Sequence, residues 1–491
     1  MQYQPYKSFI AKIGAALMAM SDIISIVLAF LFSMSLFNYF TDQALGETLS
    51  RLTYISPFER HYLYFFISSM VLLLFLSHGH YTQRIPWWNQ IRLISVAVFM
   101  AMLCEGFGSF VLTVRSSPLL ISLNWAMCFV FFICFRLLFF RLRSSFRKWD
   151  MKTVIIGDSS TTSDILYAFN ADPSTGFGVH TVFLTDNHES FHLDDLPRKY
   201  SNLRVEHDLQ DYEDYITNNP NNFYVIVLDA FKGIMRDKIV EALNAAKARY
   251  AVVPSVSRIS LYEMEPRYFF GYDVMLLHAK PSLSHPLARL AKRLIDLTSS
   301  LAGLVVFSPL FAIIIISLKI ERHKGSIFYG GERLGQNGKL FKCWKFRTMS
   351  PDSDHLLHDY LEKNPEAKAH WEKYLKLPRD PRVLTRTAHL LRKSSLDEIP
   401  QLWNVFIGNM SLVGPRPILP NEVDLYGDTI SQYIKVKPGI TGLWQVSGRN
   451  SMSFQRRIYW DGWYVRNWSL WGDIVIIIKT VPAVLFRNDG H

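Results

Sequence analysis

Asp397 and Glu398 stand side by side in LRKSSLDEIPQLW, and the cations that share motifs with them in pattern are Lys345, Arg347, Arg392, Arg416 and Arg449. Ser395 precedes Glu398 by three residues, the spacing of a capping box, so capping and dipole complementation are one explanation for acids at a helix start. Capping does not call for so many guanidinium and ammonium donors, which suit the oxygens of a pyrophosphate. Two carboxylates can hold Mg²⁺ through oxygen while one of them attacks phosphorus, splitting a transfer into two steps. Ordinary surface charge is the competing reading for each cation taken alone.

The neighbouring segments say what must position these groups. Gly414 to Pro417 and Pro438 to Gly442 permit a tight backbone approach to a ligand, or form turns. Upstream, Ile295 to Ile320 is long enough to span a bilayer, but Ser308 and Pro309 interrupt it. Arg289, Lys292 and Arg293 precede this run, and Lys319, Arg322 and Lys324 follow it. A full crossing would leave one positive cluster outside, so the expectation is a re-entrant hairpin bent at Ser308 and Pro309, with a kinked span as the alternative. Downstream, Trp460, Trp463, Trp468 and Trp471 crowd a segment ending in IVIIIKTVPAVLF, which points to an interfacial helix; core packing competes for any single Trp.

The 491 residues exceed one ordinary domain, and apolar residues, 49% of the whole, are concentrated in the first 142 positions and in the later block. Ile13 to Phe40, His61 to Leu76, Leu93 to Val114 and Leu119 to Phe140 read as four transmembrane helices. The first has no cleavage site of a signal peptide. Lys7, Lys12, Arg84, Arg92 and the dense run from Arg141 to Lys152 place both ends of the bundle in the cytoplasm by the positive-inside rule. The formal charge of +11 gathers beside apolar segments, favouring the lipid bilayer and phosphate substrates over nucleic acid, which is not expected as a partner. Cys104, Cys128, Cys134 and Cys343 show no disulfide or zinc spacing.

KTVIIGDSS, HTVFLTD, NFYVIVLDA and RYAVVPS alternate with polar helical stretches, which is the pattern of a Rossmann-like parallel α/β domain. Gly157 is followed by Asp158 and Ser159 where a dinucleotide site needs further glycines, so a structural or regulatory domain is expected. The fold class is thus a membrane protein of mixed α and α/β type. Its expected layout is a four-helix transmembrane domain over 1–145, a Rossmann-like cytoplasmic domain over 146–280, and a catalytic α/β domain over 281–491 with a re-entrant helix at about 287–320.

From Lys292 to Asp489, the motifs YGGERLGQNGKLFKCWKFRTM, LRKSSLDEIPQLWNVFIGNMSLVGPRP and KPGITGLWQVSGRN occur in an order that resembles the polyprenyl-phosphate hexose-1-phosphate transferases, the large monotopic phosphoglycosyl transferases. The order of helices, α/β domain and catalytic domain is similar to theirs along the whole chain. The resemblance implies that Asp397 attacks the sugar-bearing phosphate of a UDP-hexose, that Glu398 assists Mg²⁺ (or Mn²⁺), and that Lys345, Arg392 and Arg416 contact phosphate. It also implies UMP as leaving group, an aspartyl-phosphosugar intermediate and undecaprenyl phosphate as acceptor. The setting would be the cytoplasmic face of a bacterial inner membrane, in O-antigen, capsule or exopolysaccharide synthesis. Galactose is favoured and glucose comes next, because no residue visibly distinguishes an axial from an equatorial hydroxyl; a homodimer stays open. A membrane-bound NAD-dependent nucleotide-sugar dehydratase is the rival enzyme. Tyr433 and Lys437 have its Tyr-x-x-x-Lys spacing, but they lie in an alternating segment halted by Pro438. A non-enzymatic scaffold would not require the acid and arginine motifs.

Overall fold

The computed structural model describes residues 9–44, 57–114, 117–145, 150–186, 191, 196–206, 212–231, 234–254, 265–268, 275–278, 286–321, 325–349, 353–364, 382–383, 385–447 and 454–485. The chain forms two compact units, Met1–Ser255 and Val256–His491.

The first unit opens with helices α1 (Phe9–Ala44), α2 (Pro57–Ser77), α3 (Trp87–Val111) and α4 (Pro118–Ser145). Stretches in three of them, Ile13–Phe37, Trp87–Val111 and Pro118–Leu142, are long and apolar enough to cross a membrane; in α2 the apolar part is the shorter His61–Ser77. Ile26, Tyr64, Ile94, Trp125 and Phe132 make the common core. Buried among the helices, Arg136 pairs with Asp22 at 2.6 Å and also donates to Gln90 at 3.0 Å. Charges inside an apolar bundle persist when paired in this way, and removing one partner of such a pair costs about 3–5 kcal/mol.

Apolar runs then form a five-stranded parallel sheet of β1 (Met151–Gly157), β2 (Phe177–Leu184), β3 (Arg204–Glu206), β4 (Phe223–Val227) and β5 (Arg249–Val253), in the order β3-β2-β1-β4-β5. Helices α5 (Ser159–Ala171), α6 (Tyr212–Asn218) and α7 (Ile234–Ala245) connect the strands. At the N-terminus of α5, where a dinucleotide's pyrophosphate would sit, carboxylates already take the donors. Asp186 accepts from Ser159 N at 2.9 Å and Ser159 Oγ at 2.7 Å, and Asp158 accepts from Thr161 N at 2.9 Å. An anionic ligand there would face two negative groups.

The second unit contains a two-stranded hairpin, β6 (Glu265–Tyr268) with β7 (Met275–His278), and then helices α8 (Pro286–Val306) and α9 (Ser308–Ile320). These two helices meet at a 53° bend. Pro309 lies in the first turn of α9, where its missing N–H costs no helix bond, and Ser308 Oγ returns to the Val305 carbonyl at 2.7 Å. One face of α8 is polar and buried against the rest of the unit: Lys292 reaches Asp473 at 2.6 Å, Arg293 donates to the carbonyls of Val405 and Phe406, and Asp296 accepts from Leu412 N at 2.9 Å. Its other face exposes Leu287, Leu290, Leu294, Leu301 and Val305. Removing such side chains from water is worth about 1.5–3 kcal/mol each. Helix α9 packs Ile314 and Leu318 on Phe346 and Leu391 of the same unit.

Beyond the bend, β8 (Phe328–Leu334) pairs antiparallel with β9 (Leu340–Phe346). Helices α10 (Ser353–Lys363), α11 (Arg386–Ser394) and α12 (Gln401–Ile407) follow, then the short parallel pair β10 (Ser411–Val413) and β11 (Gly439–Thr441), and finally α13 (Phe454–Arg466) and α14 (Leu470–Leu485). The two glycine- and proline-rich stretches meet each other here: a Cβ on Gly439 would lie 2.1 Å from Gly414 N. Of the tryptophans, Trp468 is a core residue that donates to Asp473 at 3.0 Å, while Trp460, Trp463 and Trp471 are half-buried.

Candidate active site

Asp397 and Glu398 lie on a 3₁₀ turn, Leu396–Glu398, between α11 and α12. Ser395 makes that turn in a way sequence spacing does not show. It is the left-handed C-cap of α11, with φ 56°, and it makes no side-chain cap hydrogen bond, so the capping box is not formed. A non-glycine residue in this region is uncommon and carries strain, a feature that concentrates at functional sites. Thr385 caps the other end of α11 by accepting from Ala388 N at 3.2 Å.

Buried Asn404 sets the acidic turn in register with the strand opposite. From α12 its side chain donates to the Lys342 carbonyl at 2.8 Å and accepts from Trp344 N at 2.9 Å, so it bonds β9 as another strand would. Lys345, next along β9, then reaches Glu398 Oε1 at 2.7 Å.

A narrow cleft of about 20 Å³ is lined by Lys345, Glu398, Arg416, Arg333, Gln401 and Gln445. That volume is the scale of one water or ion, so a larger ligand requires these side chains to part. Burial pushes the Asp397 carboxyl up to about 6; Lys345 opposes the rise, Glu398 adds to it, and Arg392 opposes it. Asp397 is therefore largely ionised at neutral pH, yet poorly solvated, which suits a carboxylate nucleophile. Arg416 also stands 5.8 Å from the Trp444 ring, with Arg457 5.5 Å from the same ring.

Lys345, Glu398 and Arg416 thus meet in the cleft, while Asp397, which does not line it, stands within electrostatic reach of Lys345, Glu398 and Arg392. Arg347 goes elsewhere: its Nε donates to the Ser326 carbonyl at 2.9 Å, and its guanidinium lies over Tyr329 at 5.3 Å. Arg449 lies outside the described residues. Tyr433 is buried, donating to the Arg416 carbonyl at 3.0 Å and accepting from Ile418 N at 3.2 Å, so it supports the loop bearing Arg416 and forms no pair with Lys437.

Residues 287–487 match the family described as bacterial sugar transferase. Along nearly the whole chain, the UDP-galactose-lipid carrier transferase of Erwinia amylovora is 32% identical, over 96% of this chain and 97% of its own length. The chain belongs to the bacterial sugar transferase family. A second relative, the undecaprenyl-phosphate galactose phosphotransferase of Salmonella typhimurium, is 34% identical over 96% of each chain. The UDP-glucose:undecaprenyl-phosphate glucose-1-phosphate transferase of Escherichia coli is 29% identical over 67% of this chain and 66% of its own.

In this bacterial sugar transferase, sequence reasoning missed Arg333, Gln401 and Gln445 as cleft residues. Arg333 was accessible to it: β8 and β9 pair Arg333 with Phe341 and Tyr329 with Lys345, so strand alternation puts Arg333 on the face of Lys345. Gln401 and Gln445 carry no comparable pattern and are brought in by tertiary packing.

Proposed function

We propose that this protein transfers a hexose 1-phosphate from a UDP-sugar to undecaprenyl phosphate, releasing UMP, as the first membrane step of O-antigen, capsule or exopolysaccharide synthesis. The observation that carries the reading is Asp397, a half-buried carboxylate raised to about 6 beside Lys345, Glu398 and Arg392. A carboxylate oxygen of Asp397 attacks the sugar-bearing phosphorus, and the bond from that phosphorus to the UMP oxygen breaks. An oxygen of undecaprenyl phosphate then attacks the same phosphorus, displacing Asp397 as a free carboxylate and yielding a polyprenyl diphosphate sugar. Lys345, Arg392 and Arg416 bind and orient the phosphates through charge-assisted hydrogen bonds.

Asp397 and Glu398 belong to no cluster of three protein ligands among the described residues. Two carboxylates nevertheless fit Mg²⁺, which commonly takes one or two from a protein and the rest from substrate phosphates and water. When bound, Mg²⁺ or Mn²⁺ would offset charge on the departing phosphate.

The relatives named for galactose span nearly the whole chain and the one named for glucose two thirds of it, so galactose is the favoured sugar and glucose the alternative. We place the enzyme in the bacterial inner membrane with α2 as a fourth span and the catalytic cleft cytoplasmic. Helices α8 and α9 form the re-entrant hairpin, supported by the packing of both legs on one polar domain. UMP release from a panel of UDP-sugars, in membranes supplied with undecaprenyl phosphate, tests the reading. Release from UDP-galactose is expected; release from no UDP-hexose contradicts it.

A further inference from the structure

The first compact unit has a half-open cavity of about 550 Å³ where the helical bundle gives way to the α/β domain. Its position inverts the usual arrangement of such domains, whose ligands bind beyond the C-terminal ends of the strands. That edge is occupied here by Asp158 and Asp186 at the start of α5. The cavity lies instead at the opposite edge, at the starts of β1 and β5, where Lys152 and Arg249 line it.

Its walls are of two kinds. Met18 of α1 and Phe139 and Phe140 of α4 supply an apolar side. Arg84, Lys152 and Arg249 supply a cationic side, against a single lining acid, Asp150. The walls are tied together within the unit: Arg84 Nη1 donates to the carbonyls of Thr175 and Gly176 at 2.9 and 3.2 Å, and Asp172 accepts from Trp87 N at 2.7 Å. A space of this size is in the range of small-molecule sites rather than of a lone ion. Its lining includes residues near the ends of the apolar stretches Ile13–Phe37 and Pro118–Leu142, together with the three cations. An amphiphile with a phosphate fits that division, because cations beside a membrane attract anionic headgroups.

We propose that this cavity binds the phosphate-bearing headgroup of a membrane lipid, with its phosphate toward Arg84, Lys152 and Arg249 and the start of its chain along Met18, Phe139 and Phe140. The headgroup chemistry is shared by anionic glycerophospholipids and by polyprenyl phosphates, and the experiment separates them. The full-length protein in neutral detergent is incubated with phosphatidylglycerol, undecaprenyl phosphate or phosphatidylcholine, and retained lipid is counted by native mass spectrometry.

Retention of phosphatidylglycerol or undecaprenyl phosphate above phosphatidylcholine is expected, and whichever is held more tightly identifies the source. Reversing two charges, in Lys152→Glu with Arg249→Glu, should weaken that retention at least about tenfold. Ala15 of α1 also lines the cavity, and Ala15→Trp, which fills space there and leaves every charge in place, should weaken retention as well while labelled UMP exchange persists; a melting temperature like that of the unmodified protein shows that each variant folds. Equal retention in both variants, or no preference for either phosphate lipid over phosphatidylcholine, overturns the proposal. Because lipid retention is read directly, this outcome is independent of the sugar transfer reaction.

Discussion

Lys345 Nζ donates to Glu398 Oε1 across 2.7 Å, joining strand β9 to the turn that carries Asp397. A partly exposed ion pair contributes only about 0–1 kcal/mol to stability, so its main effect is electrostatic and local. Lys345 pulls the Asp397 carboxyl down against the rise caused by burial. Lys345→Ala should therefore move the acidic limb of the pH profile for UMP exchange to higher pH, besides lowering the plateau about 10²-fold or more through loss of a phosphate contact. An unchanged limb would show that Lys345 does not act on Asp397.

Asp397 also makes stability depend on pH in the direction opposite to a salt-bridged acid. Its carboxyl rises from 3.8 to about 6 on folding, so between those values the folded chain holds a proton that the unfolded chain has released. Its stabilising contribution is full below pH 3.8 and is lost as pH rises through 6. Asp397→Asn should then be more stable than the unmodified protein at pH 7.5, by up to about 3 kcal/mol, with the gain shrinking toward pH 4. Thermal unfolding in detergent with chelator measures this; a gain independent of pH would contradict the assigned burial.

The parallel strands and the helix–sheet alternation were legible because buried parallel strands read as short apolar runs between polar helices, whereas the three-residue β3 carries no such run and was not read. Asp397, Glu398, Lys345 and Arg416 were legible because dense charge in polar motifs exceeded what capping requires. The Ser395 cap was misread because its left-handed backbone cannot be seen from spacing. Arg347 was grouped with Lys345 by proximity and does share its face of the hairpin, over Tyr329, but the Ser326 carbonyl and hydroxyl hold its guanidinium at the end of the strands. Trp468 lies in the core because Asp473, five residues on, accepts its N–H.

The close approach of Gly439 and Gly414 should be intolerant of any side chain. Gly439→Ala would drive a methyl against Gly414 N and against Thr441 O at 2.5 Å, prying β10 from β11 next to Arg416. A loss of at least about 3 kcal/mol is expected, where Gly106→Ala, a helical position with open space, should be near neutral. Equal melting temperatures for the two variants would show that the backbones can part freely.

Both flanks of the α8 and α9 pair should lie on one side of the membrane. In a background without native cysteines, single cysteines at Ser284 and Ser326 should resist an impermeant thiol reagent in intact cells and label once the inner membrane is opened. Pro309→Leu should straighten the pair and reduce transfer with Asp397 and Glu398 unchanged. Labelling of one flank alone from outside, in the protein that retains Pro309, would show a crossing.

Exchange of labelled UMP into the UDP-sugar without lipid acceptor tests the central claim most directly, because it requires only the half-reaction at Asp397. The account predicts exchange in the unmodified protein that chelation stops and Mg²⁺ restores, severe loss in Glu398→Gln, and none in Asp397→Asn. Exchange at the unmodified rate in Asp397→Asn would contradict the assignment of Asp397 as the nucleophile.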